Sequence, residues 1–127
     1  MREIKFRGKH MHMLPQNNKL DGTWVYGYLE DKNYIYSPEL EGELLVKPET
    51  VGQYTGLKDK NGVEIYEGDI VKDLADNIYE VLWKPLAGAW GIANAKCHQL
   101  CVMRYMDMFE VIGNIYENPE LLKGGEK

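Results

Sequence analysis

The stretch VGQYTGLKDKNGVEIYEGDIV, Val51 to Val71, spaces glycines at 52, 56, 62 and 68 among residues that favour strands. Asn61-Gly62 lies between two apolar runs, and a tight reversal there needs φ > 0, which Asn and Gly reach at low cost. Lys60-Asn61-Gly62 is therefore expected to be a hairpin tip. Ile65-Tyr66 and Ile70-Val71 flank Glu67-Gly68-Asp69, which reads as a second reversal. Ile65, Ile70 and Val71 should be among the best-buried side chains. The pattern describes a β scaffold and carries no obvious chemistry.

The β pattern continues on both sides. Toward the N-terminus, Ile4 and Phe6 alternate with Lys5, Arg7 and Lys9, the period of a half-buried strand. Pro15-Gln16-Asn17-Asn18 and Asp21-Gly22 read as loop. Trp24, Tyr26 and Tyr28 alternate with Val25 and Gly27, and Tyr34-Ile35-Tyr36 follows across Glu30–Asn33 as a second hairpin. Leu44-Leu45-Val46 is a short apolar run stopped by Pro48, which lacks the donor a ladder needs. Toward the C-terminus, 79–83, 89–92, 100–104 and 109–115 are strand candidates, although 98–108 also reads as a short helix. Asn118-Pro119-Glu120 is the best helical start, with Asn as cap, Pro at the first position and Glu against the dipole. Gly124-Gly125 limits that helix to a turn or so.

TGLKDKNGVEIYEGDIV (55–71), read with FEVIGNIYENPELL (109–122) and the opening MREIKFRGK, resembles the YopX family of small phage and prophage proteins. The motif positions that carry the resemblance include Gly56, Asn61, Gly62, Ile65, Tyr66, Gly68, Asp69, Gly113 and Asn114. The resemblance implies a bacteriophage or prophage origin and an intracellular protein, with no established activity. It supplies no functional residue.

At 127 residues the chain is long enough to bury one core without staples. We therefore read residues 1–122 as a single YopX-like domain and 123–127 as a flexible tail. Hydrophobic residues make up 44% and charged residues 28%, the balance of a globular rather than a disordered chain. No apolar run approaches the ~20 residues that span a bilayer, and no membrane association is expected. The charged start, Met1-Arg2-Glu3-Ile4-Lys5, lacks the apolar stretch of a secretory signal, so residence in the host bacterial cytoplasm is the expectation. Two cysteines make no disulfide framework.

The net charge of −5 divides unevenly. Residues 1–20 hold Arg2, Lys5, Arg7, Lys9 and Lys19 against Glu3, a balance of +4, which leaves −9 on the remainder. A net negative chain disfavours non-specific binding to DNA or anionic membranes. The basic segment could pair with an acidic neighbour, including a second copy, or be a strand whose lysines face water, the commoner role.

Three constellations hold candidate chemistry. Cys97, His98 and Cys101, with His10 or His12, offer thiolate and imidazole ligands for zinc, but no second cysteine pair completes the four that a structural site wants. Isolated cysteines are more often small buried hydrophobes, so no metal or other cofactor is assigned. Residues four apart on a strand are ~13 Å apart, which disfavours a Cys97–Cys101 disulfide. The carboxylates Asp59, Glu64, Glu67, Asp69 and Asp73 sit at turns, where Asp commonly serves the backbone. Glu39, Glu41 and Glu43 alternate as if on one solvent face. No nucleophile elbow, P-loop, zincin or dinucleotide motif occurs, and no catalytic residue is proposed. Trp24, Tyr26 and Tyr28 share a strand face that resembles a stacking platform for single-stranded nucleic acid. Their surroundings, Asp21, Glu30 and Asp31, are acidic, and core filling is the commoner role for such rings.

The expected fold is all-β: a small SH3-like or related barrel with extra hairpins and a short C-terminal helical turn. The expected function is that of a non-catalytic protein-binding or assembly module, with an unknown host or phage protein or a second copy as partner. The alternatives are a nucleic-acid-binding accessory using the basic N-terminal strand, and an unrecognised metal-dependent enzyme. The candidate interaction surface comprises Arg2, Lys5, Arg7, Lys9, Trp24, Tyr26 and Tyr28.

Overall fold

Alternating side chains, turn glycines and β-branched residues produce an all-β protein with, among the described residues, one short α-helix. A computed structural model describes residues 4–11, 23–31, 33–84, 88–93 and 108–124. The chain clusters into two compact units, Met1–Tyr54 and Thr55–Lys127.

The first unit contains β1 (Phe6–Lys9), β2 (Trp24–Asp31), β3 (Tyr34–Ser37), β4 (Gly42–Leu45) and the start of β5 (Gly52–Lys58). Its antiparallel order is β4-β3-β2-β1-β5. β2 pairs antiparallel with β3 as the alternation predicts, but Glu30 and Asp31, expected in the turn, belong to β2, with a bulge between Leu29 and Asp31. The end of β4 returns to β1: Met11 N–H donates to the Leu45 carbonyl at 2.9 Å and Lys47 N–H to the Lys9 carbonyl at 2.8 Å, around a bridge between His10 and Val46. The sheet therefore curls on itself. The expected closed small barrel is corrected to open antiparallel sheets, because this seam is a single bridge rather than a strand pair. Val25, Ile35 and Val46 form the core, with Phe6, Leu44 and Val51 packed against them.

The second unit contains the rest of β5 and its hydrogen-bonded neighbour β6 (Glu64–Tyr66). A separate sheet, ordered β10-β7-β8-β9, joins β7 (Asp69–Lys72), β8 (Ile78–Lys84), β9 (Ala89–Ala93) and β10 (Glu110–Asn114). Ile65, Val71, Val81 and Ile92 form its core, bordered by Leu57, Tyr79, Trp90, Phe109 and Val111. Ile65, Ile70 and Val71 are all fully shielded from water. Each such side chain contributes about 1.5–3 kcal/mol by leaving water. The short helix α1 (Glu120–Gly124) forms where expected but starts at Glu120, so Pro119 precedes it instead of taking its first position. Asn118 does not cap it through its side chain; Oδ1 instead accepts the Asn114 N–H at 3.3 Å.

Gly27 marks the closest backbone approach in the first unit. A Cβ there would overlap the Tyr36 carbonyl oxygen on the neighbouring strand, so only glycine lets β2 and β3 meet. At Gly8 a Cβ would press on the Val46 side chain at 3.0 Å, and at Gly42 it would meet nothing within 4 Å. Alanine substitutions should follow that order. Gly27→Ala should cost about 1–3 kcal/mol or more, Gly8→Ala less, and Gly42→Ala within about 0.5 kcal/mol of zero. Urea unfolding midpoints measure the series, and a Gly27→Ala protein as stable as Gly42→Ala would refute the assigned approach.

Candidate functional site

Two carboxyl groups of the glycine-rich stretch, Asp59 and Asp69, accept from the backbone, while Glu64 accepts the Tyr66 hydroxyl at 3.0 Å. Asp59 is buried and ends β5, where its Oδ1 accepts the N–H groups of Asn61 at 2.8 Å and Val63 at 2.9 Å. Its Oδ2 reaches across sequence to the N–H of Val111, on β10, at 2.9 Å. Lys60 N–H donates to the Phe109 carbonyl at 2.9 Å beside it. The Lys60-Asn61-Gly62 tip is thus held by a side chain two residues upstream, with Gly62 at φ +81°. Asp69, also buried, accepts the Tyr66 N–H at 2.7 Å and shapes the Glu67-Gly68 reversal. That reversal is anchored by Gly68 N–H to the Val81 carbonyl and Ile115 N–H to the Gly68 carbonyl, each 2.9 Å. Asn114 Oδ1 accepts from Tyr116 and Glu117 N–H at 3.0 and 2.9 Å, and a Cβ on Gly113 would strike Asn118. Asp59, Asp69 and Asn114 thus organise turns.

Two acidic groups carry opposed perturbations. Burial would raise the Asp73 pKa, but hydrogen bonds from the Asn77 backbone and side chain, the Ala75 N–H and the Tyr79 hydroxyl outweigh it and leave it lowered. Glu80, on β8, is raised by burial and then by repulsion from Glu67. Among the described residues no three His, Cys, Asp or Glu side chains gather as metal ligands. Cys97, His98, Cys101 and His12 lie outside the described residues, as do Arg2, Lys19 and Asp21.

The other sequence candidates converge on the outer face of the first unit's sheet. The β1–β2 register sets Arg7 opposite Tyr26 and Lys9 opposite Trp24, and sets Gly8 opposite the buried Val25. Since strand side chains alternate, the basic and aromatic residues share the face turned away from the core. The cations lie on rings: the Arg7 guanidinium 4.5 Å from the Trp24 centroid, Lys9 Nζ 5.8 Å from it, and Lys5 Nζ 5.3 Å from that of Tyr54. Arg7 and Tyr54 are buried. The basic strand is therefore not a row of lysines facing water. Nor do the tyrosines fill the core, because Tyr26 and Tyr28 are 41% and 56% exposed, while Val25 takes the inner position.

Sequence reasoning left two further rings unassigned to this surface. Tyr34 and Tyr36, on β3, are exposed, and Tyr28 stands directly opposite Tyr36. On β4, Glu43 faces Tyr36 and Leu45 faces Tyr34. The β2 bulge brings Asp31 opposite Tyr34. The alternation in 34–36 was visible, but which face it joined depended on a register that the bulge shifts. Glu39 and Glu41 lie in the turn before β4, and only Glu43 of that trio is on a strand. The result is a four-tyrosine surface bordered by exposed carboxylates.

The family model described as YopX protein matches residues 5–123. The chain belongs to the YopX family. It is also similar to protein EF1440 from Enterococcus faecalis, whose crystal structure aligns at 25% identity and a TM-score of 0.49 over 96% of this chain and 99% of that one. Comparison with curated proteins gave no match. Among the described residues no helix is long and apolar enough to cross a membrane.

Asp59→Ala leaves three backbone donors without their acceptor and should destabilise the protein by about 3 kcal/mol or more. Gly62→Ala meets no atom within 4 Å, so it should cost only the left-handed strain of about 1–2 kcal/mol. Equal unfolding free energies for the two variants would contradict the role assigned to Asp59.

The two shifted acids should act on stability with opposite sign. A raised folded-state pKa means that ionised Glu80 penalises the fold. The penalty is absent below the unfolded value near 4.5 and complete above the folded value. For Asp73 the stabilisation is present above its unfolded value near 3.8 and lost as pH falls through the lower folded value. At pH 7, about neutral, Glu80→Gln should therefore raise the thermal midpoint and Asp73→Asn lower it. The Glu80→Gln difference should vanish under acid conditions. A Glu80→Gln midpoint below wild type at neutral pH would contradict the sign.

Proposed function

We propose that this YopX-family protein is a non-catalytic module that binds a protein partner through the outer face of β2 and β3. The observation that carries the reading is the exposed set Tyr26, Tyr28, Tyr34 and Tyr36 on one face of a sheet whose other face is core. Tyrosine supplies large contact area at low entropic cost and is enriched at protein interfaces. Asp59 and Asp69 of the motif are engaged in turns, which favours binding over hydrolysis at these groups. A phage or prophage origin, and work in the host cytoplasm, follow from the family resemblance and complete the proposal.

Nucleic-acid binding through the basic N-terminal strand has less support. Arg7 is buried against Trp24, Lys5 and Lys9 lie over rings of the same unit, and carboxylates border the exposed tyrosines. Exchange of that strand between copies is also disfavoured, since β1 lies between β2 and β5 within its own unit.

The test is affinity capture with the full chain from prophage-bearing bacteria, wild type beside Tyr28→Ser/Tyr36→Ser. Exposed substitutions should move stability by only about 0.5 kcal/mol each, so matching thermal midpoints confirm an intact fold. A host or phage protein retained by wild type and lost by the variant is the expected result. Equal capture by both proteins would remove this face from the function.

A further inference from the structure

We infer that the tyrosine face docks a cationic segment of its partner, one bearing arginine or lysine. The inference rests on the reading of this face as the binding surface and names its occupant. Cross-strand register places the rings and acids in two rows. One row runs Tyr28, Tyr36, Glu43 across β2, β3 and β4, and the next runs Asp31, Tyr34, Leu45. Directly opposed residues in antiparallel strands have Cβ atoms about 4.5–5.5 Å apart. A cationic head group seated between the Tyr36 ring and Glu43 is thus within the roughly 6 Å reach of a cation–π contact and beside a carboxylate. The second row repeats the arrangement with Tyr34 and Asp31.

Charge selects the occupant among those that favour aromatic surfaces. Glu30, Asp31, Glu39, Glu41 and Glu43 are all exposed on β2, β4 and the turn between β3 and β4. Of the same unit's cations, Arg7 stands opposite Tyr26 but is buried against Trp24, and Lys5 and Lys9 lie over the Tyr54 and Trp24 rings. A single-stranded nucleic acid would bring phosphates against Asp31 and Glu43, whereas a basic peptide pairs with them. Strand spacing adds a length rule. Tyr34 and Tyr36 are two residues apart on β3, about 6.6 Å, which is the spacing of alternate side chains in an extended peptide, so a peptide running along the strands could meet both rows.

The probe is a fluorescein-labelled extended peptide carrying arginine at alternate positions, followed by anisotropy against the full chain. The controls are the same peptide with glutamate for arginine and a labelled oligothymidylate. Wild type should bind the arginine peptide alone. Tyr28→Ser/Tyr36→Ser should weaken binding about tenfold, and Asp31→Asn/Glu43→Gln roughly threefold, with the latter difference shrinking as salt rises. Glu49→Gln/Glu120→Gln removes the same formal charge at exposed positions off this face and should change nothing. Loss of affinity equal to that of Asp31→Asn/Glu43→Gln would reduce the effect to net charge and overturn the inference. Tighter binding of the oligothymidylate or the glutamate peptide would do the same, as would displacement of the arginine peptide by a second copy of the chain. A partner captured through the tyrosines but indifferent to Asp31→Asn/Glu43→Gln would overturn the cationic occupant while leaving the binding module intact.

Discussion

Val25, Ile35 and Val46 are shielded from water, and their burial governs everything the first unit presents to solvent. Side chains alternate along a strand, so a slip of one residue would exchange the two faces of the sheet. With those three inside, Tyr26, Tyr28, Tyr34 and Tyr36 have no inward position to take. Gly27 tightens the same constraint, since it lets β2 approach the Tyr36 carbonyl where any larger residue would hold the strands apart. The core and the candidate surface are two consequences of one register. The hydrophobic driving force on the core residues turns the tyrosines outward.

The second unit is held by a different device. Asp59 ends a strand, closes the following turn and binds Val111, far along the chain. Asp69 and Asn114 do similar work at their own reversals. A buried side-chain acceptor costs free energy unless donors surround it, and here backbone N–H groups that turns leave unpaired supply them. The oxygens of Asp59 and Asp69 are thereby committed to shaping loops. The contrast between units separates scaffold from surface, with acids turned inward in one and fringing exposed rings in the other.

The position of the cations changes the reading of charge. A stretch of +4 at the N-terminus looks like a contact region when counted along the chain. In the fold, Arg7 is buried on Trp24 and its neighbours lie on rings, so the described part of that charge is spent inside the unit. The carboxylates beside the exposed tyrosines are Asp31 from β2 and Glu43 from β4, which are distant from one another in sequence.

Local chemistry alone was enough to read the all-β class, the Asn61-Gly62 tip, the reversal at Gly68 and the burial of Ile65, Ile70 and Val71. Each depends on neighbours a few residues away: φ > 0 at a turn, or a period of two along a strand. The motif strings were likewise sufficient to read the family. Three features were beyond such reading. The curl of the first sheet depends on a bridge between His10 and Val46. The direction of Trp24, Tyr26 and Tyr28 depends on which side Val25 finds its core partners. The assembly of Tyr34, Tyr36, Asp31 and Glu43 depends on strand pairing and on a bulge that shifts its register. Sequence determined the alternation, but only tertiary pairing decided which half of it met water, because both halves are apolar or aromatic and only packing distinguishes them.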